Sequence, residues 1–307
     1  MGRRKNKMKK KGSKVLIVFV LLLCFTVEVS AGSVLPYNKL SLLTKNGAVF
    51  DVRKAAVQKL YKYDTMQGEC ANNGFAYVTL YDRVVNKCKI AKVRLSDLEV
   101  VMVSRPLPLY HANNLTYNTR KNLIVATCCQ IKKKRVVFVD PETLTYVSKK
   151  DIKLSKKNKK IPRSVVKKYK GFTAIAYNEK HDCYVGRVRD NNNVIILDEN
   201  LKPIKYVKLR GKKTALLNQG MESVGDYIYD VRSFKGKKKY NMITIHTMSG
   251  KRVGKVKLAS GKAPGKEIQC IFHDGNDFYA GFYYTTSQMN DTKKNHVQRH
   301  NCLYRFN

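Results

Sequence analysis

An all-β, five-bladed β-propeller is the fold this chain predicts. Three observations predict it: a five-fold internal repeat, four short strand patterns in each full repeat, and a repeat spacing of blade size. The copies lie at residues 67–78, 111–118, 171–178, 219–229 and 267–279. Each reads as a short apolar strand, an Asn/Asp/Gly turn and a second strand rich in aromatic and β-branched residues. Such repeats bury their apolar faces only against one another, so they constrain the architecture before any single side chain is weighed.

The second copy offers strands at 114–117, 122–128, 135–139 and 144–147, with the turn from Asp140 to Thr143 between its last two. The third continues with 182–188, 193–197 and 204–209, turning at Asp198 to Leu201; the fourth has 227–233, 242–246 and 253–258, turning at Thr247 to Gly250. Four short antiparallel strands punctuated by turn residues make one blade. Aligning Gly68, Ala112, Gly171, Gly220 and Glu267 gives steps of 44, 59, 49 and 47 residues, against about 40–50 for a blade. The long step holds a Lys-rich insertion at 149–170, expected as a solvated, mobile loop.

The fifth copy supplies only three strands, at 267–272, 277–284 and 302–306. An unpaired sheet edge invites aggregation, so a strand from residues 40–43 or 49–52 is expected to complete that blade. The domain reading is therefore 1–31 as signal peptide or signal anchor, 32–66 as the segment donating the closing strand, and 67–307 as the propeller. A sixth blade would require 37–63 to form a degenerate copy.

Composition bears on partners and location. Sixty-one Lys and Arg against 22 Asp and Glu give a formal charge of +39, which implies polyanionic surroundings. Eight basic residues in 1–14 precede an apolar run at 15–25, and Val29, Ser30 and Ala31 resemble a cleavage site, the order of a secretory signal. Retention as an anchor through 15–31 is the alternative. Cleavage would remove eight basic residues and Glu28, leaving +32. Seven cysteines remain beyond Cys24, an odd number, with no zinc-type spacing. Cys70, Cys183, Cys270 and Cys302 fall on strands, where a small buried hydrophobe is the expected role.

The blade sequences resemble extracellular β-propellers with NHL-type or strictosidine-synthase-like repeats, over residues 67–307 and at the level of pattern. In such a ring the inner strands line a channel. Superposing the copies groups Gln67, His111 and Gln219 at one level, and Cys70, Asn114, Thr173, Glu222 and Gln269 three residues on. Gln67, His111, Asn114, Thr173, Gln219, Glu222 and Gln269 are thus the candidate ligand-binding residues; the second set would form a polar ring with Glu222 as its only carboxylate, and could equally satisfy itself.

A glycosidase normally needs two opposed carboxylates, and Glu69 and Glu267 do not share the register of Glu222. A calcium-dependent lactonase, as in some relatives of the fold, needs more hard oxygen ligands than Asn114 and Glu222. No metal or cofactor is expected; His296 and His300 lie in a polar loop. The sequons at Asn114 and Asn290 are short enough to arise by chance. Lys predominates over Arg in peripheral runs at 132–135, 149–170, 205–213, 235–239 and 251–266, which fits a diffuse anionic surface better than a nucleic-acid groove.

The expectation is an exported, monomeric binding or interaction module. It would be secreted or held at the cell surface, associated with an anionic envelope polymer or lipid head groups, and would take an unidentified ligand or protein at the channel mouth. The alternatives are an extracellular hydrolase using Glu222 and a membrane-anchored scaffold without a small ligand.

Overall fold

The computed structural model describes residues 40–42, 65–82, 86–128, 134–189, 193–211, 216–233, 240–259, 267–286 and 298–306. The signal or anchor segment, Cys129, Asn290 and His296 lie outside them, as do residues 235–239 and parts of the basic runs at 132–135, 205–213 and 251–266. Strand β1 (Leu40–Leu42) comes first. The first blade is β2 (Thr65–Asn72), β3 (Phe75–Asp82), β4 (Lys87–Arg94) and β5 (Val100–Val103). The second is β6 (Leu115–Asn118), β7 (Leu123–Thr127), β8 (Arg135–Val139) and β9 (Tyr146–Asp151). Helix α1 (Arg163–Lys168) follows, then the third blade: β10 (Phe172–Asn178), β11 (Cys183–Val188), β12 (Val194–Leu197) and β13 (Pro203–Val207). The fourth is β14 (Leu217–Val224), β15 (Tyr227–Ser233), β16 (Tyr240–Thr247) and β17 (Arg252–Ala259). The fifth has β18 (Glu267–Asp274), β19 (Asp277–Thr286) and β20 (Gln298–Phe306), with β1 as its outermost strand.

These are five four-stranded antiparallel sheets, a five-bladed propeller. In the last blade Leu40 opposes Phe306 and Leu42 opposes Tyr304, so the outer edge of β20 is paired by a strand from the other end of the chain. Among the described residues no helix is long and apolar enough to cross a membrane.

Alternating apolar residues give each blade two faces, and each junction between blades holds its own core. Tyr77 and Ile90 meet Leu115 and Val137 between blades one and two; Val125 and Val136 meet Ile175 and Tyr184 between two and three. Ala176 and Val185 meet Ile228, Tyr229 and Val231 meet Ile268 and Phe282, and Phe272 and Leu303 meet Met66 and Leu80, which completes the ring.

The turns repeat as well. Between the third and fourth strands Leu98, Leu144 and Leu201 take φ of 61°, 52° and 61° where the fourth blade has Gly250 at 87°. A leucine is strained there, and burial of its side chain holds it in place. Asp140 Oδ1 accepts from the Glu142 and Thr143 amides, and Asp198 Oδ1 from those of Asn200 and Lys202, so the Asp at the head of the turn satisfies its open backbone.

The insertion departs from expectation because it is folded. Ile152, Ile161 and Tyr169 are buried between blades two and three, each burial contributing roughly 1.5–3 kcal/mol. Asn158 Nδ2 donates to Pro203 O (2.8 Å) and the Tyr206 amide to Lys160 O (3.2 Å), so the segment covers the outer edge of β13. Three apolar residues among the lysines were sufficient to anchor it.

Candidate functional site

The inner strands carry a second repeated device that the sequence comparison does not register. Pairing shifts by one residue between Met66 and Glu69, Phe172 and Ala174, Asn218 and Met221, and Ile268 and Cys270, placing a β-bulge in four of the five inner strands. A bulge re-aims the side chains beyond it. Counting back from the paired ends of the inner strands (Asn72, Asn118, Asn178, Val224 and Asp274) therefore gives the working equivalences.

On that register the two predicted sets redistribute over three levels. Gln67, Thr173, Gln219 and Gln269 share the outermost, with Asn113 in blade two. Gly68, Asn114, Ala174, Gly220 and Cys270 share the next. Cys70, Thr116, Ala176, Glu222 and Phe272 lie two residues further on. His111 falls two positions before the first level and packs edge-on against Tyr81, ring centroids 4.7 Å apart.

The middle level is filled by its own side chains. Asn114 is fully buried; its Oδ1 accepts from the Met221 amide across the ring (2.9 Å), while Nδ2 donates to Leu115 O (2.6 Å) and faces Cys270 Sγ at 3.7 Å. Glycine is required beside it: a Cβ on Gly68 would meet Asn114 N at 2.6 Å, and one on Gly220 would meet Cys270 Sγ at 2.4 Å. Asn114 has no exposed surface, so its sequon offers no acceptor in the folded protein.

At the outer level the groups bond between blades. Gln219 Nε2 donates to Glu267 Oε1 (2.6 Å) and Ser233 Oγ (3.0 Å). Arg187, from β11, donates to Thr173 Oγ1 (3.1 Å), the Gln219 carbonyl and Asp230. Arg232 donates to the other oxygen of Asp230 (2.6 Å and 2.8 Å), so this buried carboxylate lies between two guanidinium groups. Burial alone would raise its pKa, yet the two cations hold it below the usual carboxylate range. Gln67 donates to its neighbouring carbonyl, Met66 O (2.8 Å), and Gln269 is buried.

Two further acids sit lower in the ring. Glu222 is nearly buried; Oε1 accepts from the Ser223 amide (2.7 Å) and Oε2 lies 3.4 Å from His273 Nδ1, an ion pair without hydrogen-bond alignment. Burial draws the His273 pKa down, but the Glu222 carboxylate outweighs it and leaves the imidazole raised. Glu69 is stranger. Its equivalents in the other blades are Leu115, Ile175, Met221 and Ile271, all core residues, and neither of its oxygens finds a hydrogen-bond partner of ordinary geometry. It fits because β19 carries Gly281 opposite, where a Cβ would lie 2.5 Å from Glu69 Cδ. Burial lifts its pKa from 4.5 to about 8, with only the Cys270 thiol acting to lower it.

Burial also pushes the Cys70 and Cys270 thiols well up, so both stay protonated and behave as small core residues. All six described cysteines are buried. Among the described residues no group of three His, Cys, Asp or Glu side chains is disposed to hold a metal ion.

The structure thus groups Gln67, Thr173, Gln219 and Gln269 at one level, places Asn114 and Glu222 at two others, and leaves His111 outside all three. Sequence reasoning missed Arg187, Asp230 and His273. Asp230 and Arg232, two residues apart on β15, were the one visible signal; Arg187 reaches them from β11 of the neighbouring blade, which only the assembled ring reveals.

No family model matches the chain, and no curated protein matches it. Solved structures do. Hydrazine synthase of Kuenenia stuttgartiensis aligns at 8% identity and a TM-score of 0.41, over 81% of this chain and 64% of that one. A calcium-binding protein, regucalcin, from Agrobacterium tumefaciens aligns at 10% and 0.45, over 84% and 92%. The tail fibre of a Staphylococcus aureus phage aligns at 14% and 0.51, over 80% and 50%. This chain spans less than two thirds of the first and half of the third. A β-propeller domain from a Myceliophthora species is among the further matches. At these identities the likeness concerns the fold.

Proposed function

We propose that the protein is an exported, non-catalytic propeller whose work is to bind a polyanion at the cell surface. One observation carries this reading: cationic charge lies on exposed outer strands and on the folded insertion, where acids are too few to pair it. All six residues of β9 are exposed, Lys149 and Lys150 among them, and so are Lys202, Lys205, Lys208, Lys251 and Lys255. The axis, by contrast, is occupied by Asn114 and Cys270 at mid-height, which limits any small ligand to the two mouths. The order of residues 1–31 supports export.

Binding to inorganic polyphosphate or to phosphatidylglycerol vesicles, measured between 0.05 and 0.5 M salt, tests the reading. Exposed charges are screened over about 10 Å at 0.1 M salt, so affinity should fall steeply. No binding at low salt, or binding indifferent to salt, would overturn it.

The Glu222 and His273 pair favours a second reading as a hydrolase, since a carboxylate lies beside an imidazole that is itself partly exposed to solvent. Turnover of lactones or glycans abolished by Glu222→Gln would establish it; absence of turnover in the unsubstituted protein would dismiss it.

A further inference from the structure

Resting on the polyanion reading, the geometry points to one place where it acts: we propose that the groove between the 155–160 segment and α1 is the docking site for a linear phosphate polymer. Residues 149–170 hold eleven basic residues and one acid, Asp151, and that acid is engaged by Arg135 at 2.9 Å. The groove is lined by Lys156, Lys157, Lys159 and Arg163, and it continues along the helix to Ser164 and Lys167. All five cations are exposed, and none has an acidic partner among the described residues. Some cations elsewhere on the exterior are paired, as Arg94 is with Asp97 and Glu99, and Lys180 with Asp226.

These cations are also held in place. The buried Ile152, Ile161 and Tyr169 and the two hydrogen bonds to β13 fix the backbone that carries them, so little ordering remains to oppose binding. Five like charges gathered on a rigid surface repel one another, and a polyvalent anion relieves that repulsion. Arg163 can take a phosphate by two parallel donors while the lysines act as point charges along the chain. A membrane fits less well. The apolar residues of the segment point inward, leaving no large exposed side chain to enter a bilayer, and surface-seeking elements combine basic and apolar faces.

The test compares the full chain with two charge-matched variants. One carries Lys156→Gln, Lys157→Gln, Arg163→Gln and Lys167→Gln in the groove; the other carries Lys87→Gln, Lys208→Gln, Lys251→Gln and Lys255→Gln outside it. With inorganic polyphosphate as probe at 0.1 M salt, the groove variant should bind at least tenfold more weakly. Its slope of log affinity against log salt should be shallower by about 3, at roughly 0.7 per lost contact. The dispersed variant should lose less than threefold. Equal losses would overturn the site while leaving the polyanion reading intact, and no binding by the unsubstituted protein would remove that reading itself. Unchanged circular dichroism and melting temperature guard against misfolding. Polyphosphate binding unaffected by the groove variant, alongside vesicle binding that it abolishes, would reassign the groove to membrane and refute the proposal.

Discussion

Glu69→Gln is the substitution with the most quantitative expectation. The carboxyl occupies a position that the other blades give to Leu115, Ile175, Met221 and Ile271, and burial raises its pKa from 4.5 to about 8. Between those values the unfolded chain has released the proton while the folded chain still holds it. Stability is therefore complete below about pH 4.5 and declines as pH rises toward 8. At about 1.4 kcal/mol per pH unit, the decline reaches about 3 kcal/mol at pH 7 and about 5 kcal/mol by pH 8. Glutamine keeps the shape and cannot ionise, so its curve lacks this component. Urea unfolding of both proteins at pH 5, 6, 7, 8 and 9 isolates it, because every other titrating group cancels in the difference. The variant should gain on the parent by about 4 kcal/mol between pH 5 and 8. Parallel curves would mean that Glu69 ionises freely or is charged and paired when folded, and the account of the first blade would fail.

Four other substitutions bear on the ring. Arg187→Met should cost about 3–5 kcal/mol by leaving Asp230 to Arg232 alone; a double variant with Asp230→Asn should be less destabilised than the two single losses summed, and strict additivity in denaturant titrations would deny the coupling. Removing the Asp230 carboxylate should also reduce sensitivity to acid, since a depressed carboxyl pKa gives stability that is lost as pH falls through the folded value. His273→Gln should be most destabilising at acid pH and converge on the parent as pH rises past the raised folded pKa, because a raised imidazole contributes fully below its unfolded value; a pH-independent difference would show that His273 is not charged against Glu222. Gly220→Ala should cost about 1–3 kcal/mol through its clash with Cys270, partly restored by Cys270→Ala, and a neutral effect on thermal melting would contradict the close packing at mid-height.

The blades were legible because their signals are local. Apolar alternation, the Asp-headed turns at Asp140 and Asp198, and the spacing of the copies each follow from a few consecutive residues. What escaped was set by pairing. The comparison aligned Ala112 with Gly68 and Gly220, whereas strand pairing puts Asn114 at their level, so Asn114 was placed beside Glu222 although their levels lie two residues apart. Glu69 looked out of register for a channel acid. It is out of register, because it faces a blade junction, where only Gly281 on a strand more than 200 residues away makes room. The insertion read as solvated since its lysines dominate any composition window, while the three apolar residues that seat it are dispersed at Ile152, Ile161 and Tyr169.

The pairing of Leu40 with Phe306 also sets an order of events. The strand that closes the ring leaves the ribosome about 260 residues before its partner, which at ~5–20 residues per second is a wait of roughly 15–50 s. Four blades can be complete during that interval while the fifth cannot, since its outer edge is supplied by a segment already made and still unpaired. Completion is thus a contact of extreme sequence separation, carrying the largest loop-closure entropy in the molecule. A ring assembled this way gains its last sheet only after translation has passed the final strand.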